Sequence, residues 1–199
     1  MAIEAVPTIY GGVRMRSRLE ARWAAFFDLC GWTWKYEPRT LPGWVPDFEL
    51  TTPAEDFPVL VEVKPICWIG EPCVDWAHEL DHPKIQKIHD HNETVLVLGA
   101  YPAGEWNGSY GFPGLGMWQT PGKGRFPAEM MIKGGKYGLP VLPYHSGLKT
   151  PPAGTLSKLW VETLARTRSQ GSGEAIVERM VNYRIIGVSA GGRCSEQVD

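Results

Sequence analysis

The stretch Val59-Leu60-Val61-Glu62-Val63-Lys64-Pro65 decides the fold. Its β-branched residues at alternate positions favour an extended chain, and Pro65, which has no N–H for a ladder hydrogen bond, closes it. Alternation puts Val59, Val61 and Val63 on one face of the strand and Glu62 and Lys64 on the other. Two charges in a strand otherwise made of Val and Leu are costly unless they have a partner or a task.

The neighbouring segments supply the rest of an α/β sandwich. Val45-Pro46-Asp47-Phe48-Glu49-Leu50 reads as a short strand, joined to the first by a turn between Pro53 and Pro58. Trp32 to Glu37 alternates as another strand and ends at Pro38. Before it, Leu19, Trp23, Phe26, Phe27 and Cys30 recur at helical spacing, with Ser17 as N-cap and Gly31 as stop. Downstream, Pro83 is placed to open a helix whose buried side is Ile85 and Ile88, and Thr94 to Ala100 reads as a fully buried strand. The order helix, three strands, helix, strand predicts an α/β domain with a mixed sheet flanked by helices.

The second half is thick with Gly, Pro and aromatic residues. A structureless loop of that length is unusual in a compact domain, so short irregular strands are expected. Leu156, Leu159, Trp160 and Leu164 form a helical stripe, and Ala175, Ile176, Met180 and Val181 a second. The chain therefore divides into a core over residues 1–102, a Gly/Pro-rich extension with C-terminal helices over 103–188 packed on that core, and a mobile tail over 189–199. Among the extension's aromatics, Trp106, Tyr110, Phe112 and Trp118 suit either a core or stacking on unpaired bases, and core filling is the commoner use.

No apolar run is long enough to cross a membrane, and the N-terminus lacks the basic and apolar regions of a secretory signal. The four cysteines are irregularly spaced without a C-x-x-C pair, which predicts free cytosolic thiols rather than disulfides or a zinc ribbon. A net charge of −2 argues against indiscriminate nucleic-acid binding, but its distribution says more. Between Leu41 and Tyr110 there are 12 acidic and 3 basic residues, and between Pro121 and Gln170 there are 8 basic and 2 acidic. Arg14, Arg16, Arg18 and Arg22 add a second basic cluster. An acidic centre bordered by basic segments suits a metal site flanked by phosphate-contacting surfaces.

If the strands carrying Asp47 and Glu62 pair around the intervening turn, the two carboxylates converge. Such a pair binds a hard divalent cation through oxygen, as Mg²⁺ requires. A lysine two residues beyond a carboxylate ligand can hold a water or steady a phosphate. These are the parts of metal-assisted phosphodiester hydrolysis. The plain alternative is a trivial ion pair between Glu62 and Lys64 on a solvated strand. Glu20 has its own local account, because Ser17-Arg18-Leu19-Glu20 matches a capping box. It also lies in line with Trp23, Ala24 and Phe27, beside the face that packs on the sheet.

Glu20 in the first helix, Pro46-Asp47-Phe48 and Glu62-Val63-Lys64-Pro65, in this order of elements, resemble the PD-(D/E)XK nuclease superfamily. Arg16 to Glu20 and Tyr36-Glu37-Pro38 sharpen the likeness to phage junction-resolving and transposon-end-cutting endonucleases. The resemblance covers roughly the first hundred residues. It implies a restriction-endonuclease-like core (α-β-β-β-α-β) and an Mg²⁺-dependent endodeoxyribonuclease, with Mn²⁺ able to substitute. In that reading Asp47, Glu62 and the Val63 carbonyl are metal ligands, and Glu20 completes or tunes the site. Lys64 positions the attacking water. Cleavage leaves 5′-phosphate and 3′-hydroxyl ends. Lys84, Gln86 and Lys87, with Arg14, Arg16 and Arg18, contact nucleic acid. DNA is the expected partner, with branched, phage or mobile-element DNA among the candidate substrates. A homodimer is expected where both strands are cut, and a bacterial cytoplasm where the gene is phage-borne.

Two rival readings remain open at this point. His78-Glu79-Leu80-Asp81-His82 spells H-E-x-x-H, which on a helix would hold Zn²⁺ with Glu79 as the base of a metallopeptidase. Pro83 directly after His82 and the polar flanks count against it, and only His89, His91 or a carboxylate could supply a third ligand. The other rival is a non-catalytic DNA-binding module of the same fold.

Overall fold

A computed structural model describes residues 5–53, 55, 57–66, 88, 91–105, 113–122, 124–140 and 148–167. The chain opens with a hairpin of β1 (Thr8–Tyr10) and β2 (Val13–Met15). Tyr10 pairs with Val13 across Gly11-Gly12, both at positive φ, as a two-residue type I′ turn requires. This hairpin is absent from the sequence-based expectation.

Helix α1 (Arg18–Cys30) begins and ends where the sequence places it. The Ser17 hydroxyl accepts the Glu20 amide at 3.1 Å, and Gly31 closes the helix by donating to Asp28 at 3.0 Å. Then come β3 (Thr33–Tyr36), β4 (Phe48–Thr51), β5 (Val59–Val63) and β6 (Val95–Leu98). Antiparallel pairing joins β3 to β4 and β4 to β5, while β5 and β6 are parallel. The protein is thus α/β with a mixed sheet, as expected. Of the helix expected from Pro83, only Ile88 is among the described residues; it is helical and fully buried.

The sheet does not stop at β6. The extension contributes β7 (Gly104–Glu105), β8 (Pro113–Thr120) and β9 (Gly124–Glu129), giving seven strands in all. β8 pairs with β6 on one side and β9 on the other. A separate hairpin, β10 (Met131–Lys133) with β11 (Lys136–Gly138), follows, and α2 (Thr155–Thr167) ends the described chain. The extension thus supplies the strands expected of it, and they join the same sheet as β3 to β6. Its strands were hard to read because Pro113, Gly114 and Gly116 break the apolar alternation inside β8.

Each face of the sheet has its own core. On one, Phe48, Leu50, Val61, Leu96 and Trp118 pack with Trp23, Phe26 and Phe27 of α1 and with Leu156 and Trp160 of α2. Trp23 and Trp160 lie 4.8 Å apart between ring centroids, so the two helices cover this face together. On the other, Leu60, Val95, Val97 and Met117 pack with Trp44, Ile66 and Ile88. Trp118 is 1% exposed and donates its indole N–H to Pro140, which makes it a core residue. Trp106, Tyr110 and Phe112, the second C-terminal stripe and the tail lie outside the described residues. No helix among the described residues is long and apolar enough to cross a membrane.

Candidate metal and catalytic site

The register of β4 on β5 builds the site. Phe48 pairs with Val61 and Glu49 with Leu60, so one further step brings Asp47 opposite Glu62. Pro46 cannot pair, and the ladder ends at that step, leaving Asp47 at the mouth of the strand pair. Both carboxylates are buried, Asp47 at 2% exposure and Glu62 at 4%. Like charges facing each other across a strand pair repel, and burial strengthens the repulsion.

Each carboxylate oxygen has a partner. Asp47 Oδ2 accepts the Val63 amide at 2.7 Å, and Oδ1 accepts Arg16 Nη2 at 2.5 Å. Glu62 Oε1 pairs with the Lys64 ammonium, and Oε2 accepts the Trp44 indole N–H at 2.8 Å. Burial, first, and then the charge of Glu62 push the Asp47 carboxyl up to about 7. Lys64 and the Val63 amide pull the other way and do not offset the rise. Arg16 also opposes it, but its side chain is 55% exposed and shared with Glu37, so solvent screens its effect.

Glu20 does not touch this pair. Its Oε2 accepts the Tyr36 hydroxyl at 2.5 Å and the Arg16 amide at 3.1 Å, and its Oε1 accepts the Ser17 hydroxyl at 2.8 Å. The capping box is therefore present, with the back-bond made to the residue before the cap. Glu20 reaches Asp47 only through Arg16, although its charge adds a small upward push on the Asp47 carboxyl. Arg16 links the two groups. Its guanidinium also holds Glu37 at 2.9 Å, and Glu37 sits at φ 43 directly before Pro38. That left-handed conformation is rare for a residue other than Gly, Asn or Asp and disfavoured before proline, so local strain is stored beside the site. The Glu37 amide donates to the Asp47 carbonyl at 2.9 Å, which ties the strained residue to the site.

Trp44 was not singled out by the sequence. Leu41-Pro42-Gly43-Trp44 closes as a turn with reciprocal backbone bonds of 2.8 and 3.1 Å between Leu41 and Trp44. Pro42 presets one central residue and Gly43, at φ 74, supplies the other, as a type II turn demands. The turn delivers the indole to Glu62. A Pro-Gly pair announces such a turn, but nothing in the sequence announces its target.

Two carboxylates and a strand-edge carbonyl are hard oxygen donors suited to Mg²⁺ or Mn²⁺. The Val63 amide points to the Asp47 side, and in an extended strand the carbonyl of the same residue leaves by the same edge. Among the described residues, no group of three or more His, Cys, Asp and Glu side chains is arranged to hold a metal ion. The protein's share of a coordination shell would therefore be Asp47, Glu62 and Val63, leaving places for water and phosphate, which Mg²⁺ usually keeps.

Arg14 is exposed and Arg18 half-buried at the start of α1. Lys84, Gln86, Lys87 and the His78-Glu79-Leu80-Asp81-His82 motif lie outside the described residues. His91 is described, and its ring lies 5.3 Å from that of Trp44. Cys30 is a buried free thiol, pushed up by desolvation. No protein-family model, no curated protein and no solved structure matches this chain.

Proposed function

We propose that this chain is a metal-dependent endonuclease that hydrolyses DNA phosphodiester bonds, built on a restriction-endonuclease-like core of the PD-(D/E)XK kind. The observation that carries this reading is the buried pair Asp47 and Glu62, opposed across β4 and β5, with Lys64 on the Glu62 face of the same strand. Two opposed buried carboxylates are unfavourable in a purely structural role, and a divalent cation relieves that cost.

A bound Mg²⁺ or Mn²⁺ would polarise the phosphoryl group and lower the pKa of a bound water. Asp47, Glu62 and the Val63 carbonyl would hold the ion. The Lys64 ammonium, 22% exposed beside Glu62, is the group that would hold the attacking water or a phosphate oxygen were a cation held there. Glu20 acts at one remove, fixing Tyr36 and the Arg16 backbone. Arg14 and Arg18 flank this edge as phosphate contacts. DNA is the proposed partner, and two copies are needed where both strands are cut.

One observation favours a second reading, a non-catalytic DNA-binding module: Lys64 pairs with Glu62 and Arg16 with Asp47, so each carboxylate has a cationic side-chain partner. A cleavage assay separates the two. Supercoiled plasmid, linear duplex and a four-way junction are incubated with Mg²⁺, Mn²⁺ or EDTA, beside Lys64→Ala. Metal-dependent cutting lost in the variant supports the nuclease, and the preferred substrate identifies its target. Binding without cutting in either metal supports the silent module.

A further inference from the structure

We propose that the cleft between the start of β6 and the β8–β9 hairpin is a base-recognition subsite, taking a base that bears an exocyclic amino group, in preference to thymine, a few nucleotides from the scissile phosphate. The proposal rests on the nuclease reading of the carboxylate pair. The cleft has a volume of about 630 Å³, and His91, Glu93, Gln119, Gly122, Gly124 and Arg125 are among its walls. That lies within the roughly 300–1,000 Å³ of pockets that enclose small ligands.

Gln119 sets the ligand chemistry. It is only 8% exposed, yet its Oε1 has no hydrogen-bond partner. Buried acceptors are nearly always satisfied, so an orphan in the wall of an open cleft points to a donor that arrives with a ligand. Adenine, cytosine and guanine each carry an exocyclic amino group that can meet a carboxamide oxygen, and thymine carries none, so thymine is the base this acceptor disfavours. Glu93 is engaged by Arg39 at 3.0 Å, which tempers the negative charge at the cleft. Arg125 lies opposite Gln119 in the β8–β9 register and brings positive charge for a neighbouring phosphate. The turn residues Gly122 and Gly124 carry no side chain to close the rim.

The sheet connects this cleft to the carboxylates. Leu60, Val95, Gln119 and Arg125 form one cross-strand row, and Glu62 and Val97 belong to the next row on the same face. Gln119 and Glu62 are thus two strands and two residues apart. At a strand spacing of about 4.8 Å and a rise of about 3.3 Å per residue, that is about 12 Å between Cα atoms. The span matches roughly three to four stacked base steps at about 3.4 Å each. His91, in the cleft wall, packs on Trp44, which holds Glu62. One strand of nucleic acid can occupy both places.

The test reads binding apart from chemistry. Anisotropy of labelled oligo-dA, oligo-dC and oligo-dT is measured on the full chain in EDTA. Oligo-dA or oligo-dC is expected to bind about five- to tenfold tighter than oligo-dT, the scale of one hydrogen bond. Gln119→Leu and the closer isostere Gln119→Met, each checked by thermal melting, are expected to bring all three within about twofold. Absence of binding, equal binding by the wild type, or a base order that survives in a folded Gln119 variant overturns the proposal. Plasmid cleavage is scored separately: base order without any cutting overturns the nuclease reading and leaves the subsite standing.

Discussion

Trp44 donates its indole N–H to Glu62 at 2.8 Å, and the other oxygen of Glu62 pairs with Lys64. The indole therefore fixes Oε2 and leaves Oε1, the oxygen paired with Lys64, as the one that can exchange its partner for a cation. Trp44→Phe keeps the ring and removes the bond. Loss of an outer partner of this kind costs about tenfold or more in metal affinity. Mn²⁺ titration by calorimetry is expected to show that weakening while the melting temperature changes little.

Asp47 and Lys64 are expected to separate stability from chemistry. Asp47→Asn removes a carboxylate that Glu62 repels but turns an NH2 toward one of two donors, Arg16 or the Val63 amide, so the two effects oppose and the metal-free melting temperature should change little. Cleavage in Mg²⁺ should fall at least about 100-fold in both Asp47→Asn and Lys64→Ala. A folded Asp47→Asn protein that cuts at the wild-type rate would overturn the assignment.

The Asp47 carboxyl gives the metal-free protein a pH signature. Burial and Glu62 raise it from 3.8 to about 7, against the opposing pull of Lys64, the Val63 amide and Arg16, and with a small further push from Glu20. The folded state then holds more protons than the unfolded one between about pH 4 and pH 7. The stability contributed by neutral Asp47 is full below about 4 and is lost as pH rises through about 7. Denaturant melts in EDTA should show stability falling across that window, and Asp47→Asn should flatten the slope.

Arg16 competes with any cation for Asp47. Its guanidinium bridges Asp47 and Glu37 with half its side chain exposed. A pair of this exposure contributes about 0.2–1 kcal/mol. Arg16→Ala should therefore tighten Mn²⁺ binding up to about fivefold and slightly lower the melting temperature without metal. Looser Mn²⁺ binding in the variant would instead make Arg16 a support of the site.

Gly116 holds the extension against the core. A Cβ at this position would lie 2.2 Å from the Val97 carbonyl oxygen. The register shifts between Gly114 and Gly116, where β8 passes β6 and β9. Gly116→Ala should destabilise the fold by about 1–3 kcal/mol or more, read by chemical denaturation.

The parts of the site that lie on strongly patterned strands were legible in the sequence. Val59 to Val63 has no competing reading, and its alternation carries Glu62 and Lys64 to one face whatever else the chain does. Ser17 and Gly31 mark α1 because capping chemistry is local. Trp44 escaped because a turn residue's target depends on tertiary packing. Arg16 was read as a nucleic-acid contact from its company of arginines, and its pairing with Asp47 and Glu37 depends on tertiary packing that the sequence does not display. Glu20 was read both as a cap and as a neighbour of the metal. Its hydrogen bonds are those of the cap and of Tyr36, because α1 covers the sheet face opposite the one bearing Glu62.

The pairing of β8 with β6, and of Trp160 with Trp23, has a practical consequence for anyone seeking a minimal fragment. A piece ending near residue 102 would keep Arg16, Glu20, Glu37, Asp47, Glu62 and Lys64. It would also leave β6 as a bare edge of four buried aliphatic residues, Val95 to Leu98, and strip the cover from Trp23 and Phe26. Such edges recruit other chains. The half of the chain that carries the carboxylate pair is therefore inseparable from its glycine-rich half, and a truncated version should be recovered from inclusion bodies rather than from solution.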